Sequence, residues 1–247
     1  MNSIVAAILA GGEGRRFRPY TDLIPKPMVP LGAEEKPLLE YIVNWLAGFG
    51  ITKFVFLVGY RWRQVANYFG DGFRWGVKID YSVDDDKYTN TGGALAKALM
   101  NGLLDGDLIL VWYGDIIAPL DVKSLIRDHT SSGALATLAV ADRYQVPVGV
   151  AHVGDDGFVY KLEEKPWLDI KATIGILVLD PEVLGEATSH LGRSFDIMSD
   201  LIPWMIKKGY RVKAHIYRGP WYDVGSLERY QKIPDHVIEA FSRARKA

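Results

Sequence analysis

Short apolar runs alternate with stretches in which apolar residues recur every three or four positions. Ile4–Leu9 is an unbroken apolar run that stops at glycine, the pattern of a buried strand. Leu38, Leu39, Ile42, Val43, Leu46 and Phe49 fall at helical spacing, and Gly48 and Gly50 end that helix. Further along, the pattern predicts a strand at Lys53–Val58, a helix at Arg61–Phe69 and a strand at Lys78–Val83. A helix at Gly93–Leu104, a strong strand at Asp107–Tyr113 and a helix at Asp121–Thr130 follow. This β-α-β-α-β-α-β order predicts an α/β fold, with a Rossmann-like, mostly parallel sheet sandwiched by helices.

From Ala134 the texture changes. Ala134–Ala141, Val146–Val153, Phe158–Glu163 and Thr173–Leu179 read as strands with few helical intervals, and Asp155-Asp156-Gly157 is a hairpin turn between two of them. Pro181–Ala187 and Phe195–Lys208 read as helices, Tyr210–Tyr217 as a strand, and Ser226 onward as a closing helix. The second half is therefore expected to add antiparallel pieces and a smaller lobe. With no linker, repeat or low-complexity tract, the chain is expected to form one unit over residues 1–240, in halves 1–132 and 133–240.

At 247 residues, 49% hydrophobic and 24% charged, the chain can fill a core. A net charge of −1 without a basic stripe gives no footprint for nucleic acid. Cysteine is absent, so disulfides and thiolate chemistry are excluded, and the five histidines form no HxH or HxxxH pair. No apolar run approaches the ~20 residues of a membrane span, and Ile4–Leu9 is too short for a signal peptide. A cytoplasmic protein is the expectation.

The first strand runs into Leu9-Ala10-Gly11-Gly12-Glu13-Gly14-Arg15-Arg16-Phe17-Arg18-Pro19, then Thr21 and Pro25-Lys26-Pro27. Three glycines leave backbone N–H groups unshielded, and Arg15, Arg16, Arg18 and Lys26 are opposed only by Glu13 and Asp22. Such a loop suits a polyphosphate, through backbone donors and charge-assisted hydrogen bonds. It lacks the GxxxxGK[ST] spacing, and Phe17 stands where a dinucleotide fingerprint needs its third glycine. Lys26, flanked by prolines, is expected on a stiff extended segment.

Tyr113-Gly114-Asp115 ends the most apolar strand, where ligands of parallel sheets gather and a carboxylate is placed to hold Mg²⁺ on a phosphate. Asp223, in Trp221-Tyr222-Asp223-Val224-Gly225, is a second acid in an aromatic, glycine-bounded setting. Thr89-Asn90-Thr91-Gly92-Gly93-Ala94 opens a helix, with Asn90 or Thr91 as its cap and small residues that admit a planar group. The preceding Asp84-Asp85-Asp86 reads mostly as a solvated turn, and Glu163-Glu164-Lys165-Pro166 alone as a surface turn.

Taken together, the motifs resemble the sugar-1-phosphate nucleotidylyltransferases over nearly the whole chain, Leu9 to Tyr230. The family signature LAGGxGTRLxPxT…PKPxxP is met from Leu9 to Pro30, with Arg15 for the usual Thr and Phe17 for the usual Leu. Gly59-Tyr60, the Thr91-Gly92-Gly93-Ala94-Leu95 helix start, Gly114-Asp115, Glu164-Lys165-Pro166, Thr173/Gly175 and Trp221-x-Asp223-x-Gly225 follow in the family's order. The resemblance implies that Leu9, Ala10, Gly11, Gly12 and Gly14 lie against a nucleoside triphosphate. Arg16 would hold the pyrophosphate and Lys26 would stand near the α-phosphate. It further implies a base pocket of Asp84, Asn90, Thr91 and Gly92, a Mg²⁺ site of Asp115 and Asp223, and a sugar-phosphate pocket of Gly149, Glu164, Lys165 and Gly175. Residues 1–132 would be the nucleotide-binding half and 133–240 the antiparallel, sugar-phosphate-binding half.

The implied reaction transfers a nucleotidyl group from an NTP to a hexose 1-phosphate and releases pyrophosphate. The attacking phosphate is already anionic at neutral pH, so no general base is required, and the protein has to position two polyanions and neutralise their charge. Asp84 stands where pyrimidine-using members often carry Gln. A carboxylate only accepts hydrogen bonds, which leans the reading toward GTP and mannose 1-phosphate; Thr91-Gly92-Gly93 is also similar to the cytidylyltransferase branch. The alternatives are a non-catalytic NDP-sugar-binding regulatory subunit on the same fold, suggested by Arg15 and the insertion at Ala33-Glu34-Glu35, and a Rossmann oxidoreductase, which the missing third glycine disfavours. A homo-oligomer is compatible with the sequence. The C-terminal acyltransferase or left-handed β-helix domain of some relatives is expected to be absent.

Overall fold

The computed structural model describes residues 2–243. Seven strands form the main sheet: β1 (Ile4–Ala10), β2 (Lys53–Val58), β3 (Lys78–Val83), β4 (Leu108–Tyr113), β5 (Ala136–Ala141), β6 (Ala172–Leu179) and β7 (Val212–Tyr217). Their order is β7-β5-β6-β4-β1-β2-β3. All run parallel except β6, which is antiparallel to both β4 and β5. β1 pairs with β2 on one side and β4 on the other, so the chain steps outward from β1 and later returns across it. That reversal leaves a crevice outside the carboxyl ends of β1 and β4, the place where open α/β sheets bind ligands.

The alternation along β1 explains the layers. Ala6, Ile8 and Ala10 face one core, which receives α1 (Leu38–Gly48), α2 (Trp62–Phe69), α4 (Val122–Ser132) and α8 (Asp235–Arg243). Val5 and Ala7 face the other, which receives α3 (Asn90–Met100), α5 (Pro181–Leu191) and α6 (Ile202–Lys207). Of the predicted face of α1, Leu38, Leu39, Ile42, Val43 and Leu46 are fully buried, while Phe49, just past the end of the helix, is half-buried; each fully buried side chain contributes about 1.5–3 kcal/mol. Trp45 stacks on Phe241 of α8 at 4.8 Å.

The second half adds strands to the same sheet, with β6 antiparallel to its neighbours, as expected. Its β7 runs parallel to β5, and β5, β6 and β7 join the same sheet as the first four strands. The antiparallel lobe reduces to the hairpin Gly149–Val153/Val159–Glu164 and short ribbons. In the hairpin Val150, His152 and Glu163 are half-buried, whereas Val153, Tyr160 and Leu162 are exposed. The predicted closing helix is two pieces, α7 (Leu227–Tyr230) and α8, with Pro234 between them; proline lacks the N–H a continuous helix needs. Among the described residues no helix is long and apolar enough to cross a membrane.

Candidate active site

The carboxyl ends of β1 and β4 open into a cavity of about 480 Å³. Leu9, Ala10, Gly11, Gly12 and Gly14 line it from the loop after β1, with Arg16 and Lys26 beyond them. Asp84, Asn90 and Thr91 line it after β3, and Asp115 after β4. Arg15, one of the loop cations, also lines it, as do Pro27, Ala94, Tyr113, Gly114 and Gly225, which belong to the quoted motifs without an assigned role there, and Leu57 of β2. For Tyr113 a signal existed: it is the last residue of the most apolar strand and directly precedes Gly-Asp. Burial pushes its hydroxyl up to about 12, so it stays a neutral donor.

Glycine is needed in this loop for definite steric reasons. Gly14 has φ +64°, and a Cβ there would lie 2.9 Å from Thr21 Cγ2. Thr21 Oγ1 donates to Gly14 O at 2.9 Å and fixes the turn. A Cβ on Gly11 would lie 2.5 Å from Asp84 Oδ2. A Cβ on Gly12 would meet nothing within 4 Å. Gly12→Ala is therefore expected to leave the melting temperature unchanged; if the loop receives a triphosphate, as the resemblance implies, the methyl group would take phosphate space and weaken NTP binding about tenfold or more, which calorimetric titration with NTPs reads.

Lys26 sits on a 3-10 turn, Lys26–Met28, rather than on an extended segment. Pro25 is extended, but Pro27 lies inside the turn, where the fixed φ of proline is tolerated. Its Nζ is 2.5 Å from Asp115 Oδ2, with the lysine side chain only 12% exposed. Arg15 pairs with Glu13 at 2.7 Å and Arg18 with Asp22 at 3.2 Å, both at the surface.

All three residues of the Asp84-Asp85-Asp86 run are exposed, as a solvated turn requires, but two of them have fixed surroundings. Asp85 accepts from the Lys87 and Tyr88 N–H groups and pairs with Lys97 at 2.7 Å; the Lys97 hydrogen bond leads in drawing its carboxyl down to about 2. Asp84 instead turns inward over Gly11 and Gly59. Burial pushes its carboxyl up, against the pull of Lys97.

A carboxyl raised by folding adds stability below the unfolded-chain value of about 3.9, and that stability is lost as pH rises through the folded value. Ionised Asp84 is therefore a cost at neutral pH. Asp84→Asn is expected to raise the melting temperature at pH 7, with the gap closing toward acid pH; a melting series across pH checks this.

Neither Asn90 nor Thr91 caps α3 with its side chain. The helix starts at Asn90, three residues before the predicted start, and its Gly92 and Gly93 N–H groups donate to the Phe195 carbonyl at 2.9 and 3.1 Å. Gly92 is buried beneath Phe195 and does not line the cavity. Asn90 has φ +63°, a left-handed conformation that asparagine tolerates better than most residues. Thr91 Oγ1 donates to Asp196 Oδ2 at 2.6 Å and accepts from the Ile197 N–H at 2.9 Å. Burial pushes the Asp196 carboxyl up, but the Thr91 hydroxyl and the Ser199 and Met198 N–H groups outweigh it and hold it low.

Asp223 does not line the cavity but stands at its edge. The strand Tyr222–Asp223 pairs with Ile116–Ile117, and the Val224 N–H donates to Asp115 O at 2.8 Å, so both carboxylates spring from one ribbon. A Cβ on Gly225 would lie 2.8 Å from Asp223 Oδ1 and 3.2 Å from Arg16 Nη2, so Arg16 and Asp223 converge there. Asp223 Oδ2 accepts from Arg229 Nη1. The two aspartates suit a small hard cation that uses one or two protein carboxylates and completes its shell with phosphate and water. Among the described residues no three His, Asp or Glu side chains group around one point, so a cation held by protein ligands alone has no cage here.

The residues proposed for the sugar phosphate lie apart. Gly149 pairs with Glu164 in the hairpin, and Lys165, with φ +48°, follows it. Glu164 and Lys165 are exposed and 3.6 Å apart. Gly175, with φ +74°, packs against Tyr113, where a Cβ would lie 3.1 Å from the ring, and is tied to the cavity through it.

Residues 5–239 match the family model described as nucleotidyl transferase. The chain is 32% identical to a UTP–glucose-1-phosphate uridylyltransferase of Synechocystis sp. over 94% of its length and 61% of the relative's. It is 32% identical to the low-salt glycan biosynthesis nucleotidyltransferase Agl11 of Haloferax volcanii, over 94% of this chain and 65% of that one. The chain thus spans somewhat under two thirds of the length of these relatives. A solved structure from Bacillus anthracis, assigned as a glucose-1-phosphate thymidylyltransferase and bound to sucrose, superposes with a TM-score of 0.72 at 25% identity, covering 99% of this chain and 96% of the other.

Proposed function

The chain belongs to the nucleotidyl transferase family, and from that membership we propose that it transfers a nucleotidyl group from an NTP to a hexose 1-phosphate. The observation that carries the reading is a glycine-floored cavity with Lys26 paired to Asp115 on its wall and Arg16 meeting Asp223 beside Gly225 at its edge, the two pairs joined by the Val224 N–H on the Asp115 carbonyl. A phosphate oxygen of the sugar phosphate attacks the α-phosphorus. The bond from that phosphorus to the bridging oxygen breaks, and pyrophosphate leaves with the electron pair. No proton need move.

The backbone of Gly11, Gly12 and Gly14 receives the triphosphate, and Arg16 meets the charge that develops on the leaving pyrophosphate. Lys26, rigidly held, stands beside the α-phosphate. Asp115 and Asp223 would hold Mg²⁺, which supplies charge neutralisation on the phosphates. Gly149, Glu164, Lys165 and Gly175 take the sugar phosphate, with Lys165 facing its charge.

Asp84 supports a base with hydrogen-bond donors on its edge. The Asp84 carboxylate lines the cavity and, when ionised, only accepts hydrogen bonds, so it discriminates between donor and acceptor edges, which favours guanine over uracil and keeps GTP with mannose 1-phosphate as the leading pair. The uridylyl relative is the opposing indication. A pyrophosphate-release panel of GTP, CTP, UTP, dTTP and ATP against mannose, glucose and N-acetylglucosamine 1-phosphates separates them. Preference for GTP or CTP that Asp84→Asn relaxes is the expected result; equal rates with all five nucleotides overturn the role of Asp84.

A further inference from the structure

The glycine loop after β1 is held from behind by the loop after β2. The Tyr60 N–H donates to Gly11 O at 3.0 Å, and the Tyr60 hydroxyl donates to Thr21 O at 2.9 Å. One residue therefore ties both ends of segment 11–21, which carries Gly11, Gly12, Gly14 and Arg16 into the cavity. The second tie is passed inward. Thr21 is buried, and its Oγ1 donates to the carbonyl of Gly14 at 2.9 Å. A chain of contacts thus runs from the Tyr60 hydroxyl to the left-handed turn at Gly14.

Arg61 fixes that hydroxyl. Its Nε donates to Tyr60 Oη at 2.9 Å, which leaves the phenol proton for Thr21 O. Its Nη2 donates to the Asp22 carbonyl, and Gln64 Nε2 on α2 donates to the Leu23 carbonyl at 3.0 Å. Three consecutive carbonyls, of Thr21, Asp22 and Leu23, are therefore bound by side chains from residues 60–64. Arg61 is exposed and holds φ +52°, in the left-handed region where an arginine is uncommon. Backbone held in such a region clusters where geometry serves a ligand. Neither Tyr60 nor Arg61 lines the cavity, so both act through the loop.

We propose that Tyr60 is a positioning residue for the nucleotide's phosphates, with Arg61 orienting its hydroxyl. A loop with three glycines has much backbone freedom to lose when a ligand orders it. Tying its two ends before the ligand arrives removes part of that loss from the binding step. The two ties differ in what they require. Gly11 is held by a backbone N–H that almost any residue supplies, whereas the Thr21 end depends on the hydroxyl. Removing the hydroxyl therefore loosens the phosphate end of the loop and leaves the Gly11 end in place. This role rests on reading the glycine loop as the cradle of a triphosphate.

Binding alone tests it, without turnover. Calorimetry is run with GTP, GDP and GMP, and with UTP, UDP and UMP. Wild-type affinity is expected to rise with the number of phosphates. Tyr60→Phe keeps the ring and the N–H; it is expected to bind the triphosphate about three- to tenfold more weakly and the monophosphate within about twofold of wild type, the scale of one net hydrogen bond. Arg61→Gln is expected to show the same selective loss and to add little to Tyr60→Phe, because the two act on one contact. Gly12→Ala separates the two levels. If it leaves triphosphate affinity unchanged, or wild-type affinity does not rise with phosphate number, the reading of the loop itself falls. If it weakens the triphosphate while Tyr60→Phe matches wild type, the role of Tyr60 is overturned and the cradle stands. Equal losses for mono- and triphosphate in Tyr60→Phe also overturn that role, since they mark a contribution to the fold alone. Losses that add in full in the double variant remove Arg61 from it.

Discussion

Arg16→Ala is expected to lower the rate of pyrophosphate release by roughly 10²–10³-fold, the loss typical of removing one preorganised donor from a developing negative charge. The same variant should melt with wild type. Arg16 is exposed, and its guanidinium lies beside Gly225 at the cavity edge, so its removal leaves the buried core intact. Arg15 is the internal control. Its guanidinium is engaged by Glu13 at 2.7 Å on the surface, and Arg15→Ala should cost no more than a few-fold. Quenched-flow measurement of pyrophosphate release in both variants checks the contrast. Near-normal turnover in Arg16→Ala removes that residue from the reaction.

The largest loss of stability is expected at Gly92, which has no catalytic atom to lose. A Cβ there would lie 2.2 and 2.3 Å from two Phe195 ring carbons and 2.9 Å from the Phe195 carbonyl oxygen. That carbonyl accepts the Gly92 and Gly93 N–H groups, so the ring cannot retreat without breaking the cap of α3. Overpacking of this kind typically costs about 1–3 kcal/mol, and here the upper end applies because backbone as well as side chain must move. Urea denaturation of Gly92→Ala reads the loss. Nucleotide affinity should fall with it, since Asn90 and Thr91 at the same helix start line the cavity.

What the sequence made legible follows from range. The strands Lys53–Val58 and Lys78–Val83 have the predicted bounds, because an apolar run bounded by glycine or polar residues is a local signal. The glycine loop and the acid after β4 were legible for the same reason: each is a short motif at the end of a strand. The start of α3 was not. Its cap is the carbonyl of Phe195, about a hundred residues away, and no nearby side chain announces it. The inward turn of Asp84 likewise depends on Gly11 and Gly59 offering bare backbone from two other loops. Arg229 was invisible because an arginine in a polar helical turn resembles any solvated cation until its partner is seen. The parallel direction of β7 was not legible, because strand texture carries no information about the sense of pairing.

The most direct test of the central claim follows the α-phosphorus itself. Purified protein is incubated for a single turnover with α-³²P-labelled NTP, Mg²⁺ and hexose 1-phosphate, and the label is traced by chromatography. The account predicts that the label moves into a nucleoside-diphosphate hexose in step with release of unlabelled pyrophosphate, and that Arg16→Ala slows both together. Label that stays in the triphosphate, while the protein binds nucleoside-diphosphate hexose tightly, would contradict it and identify a sensor built on the same fold.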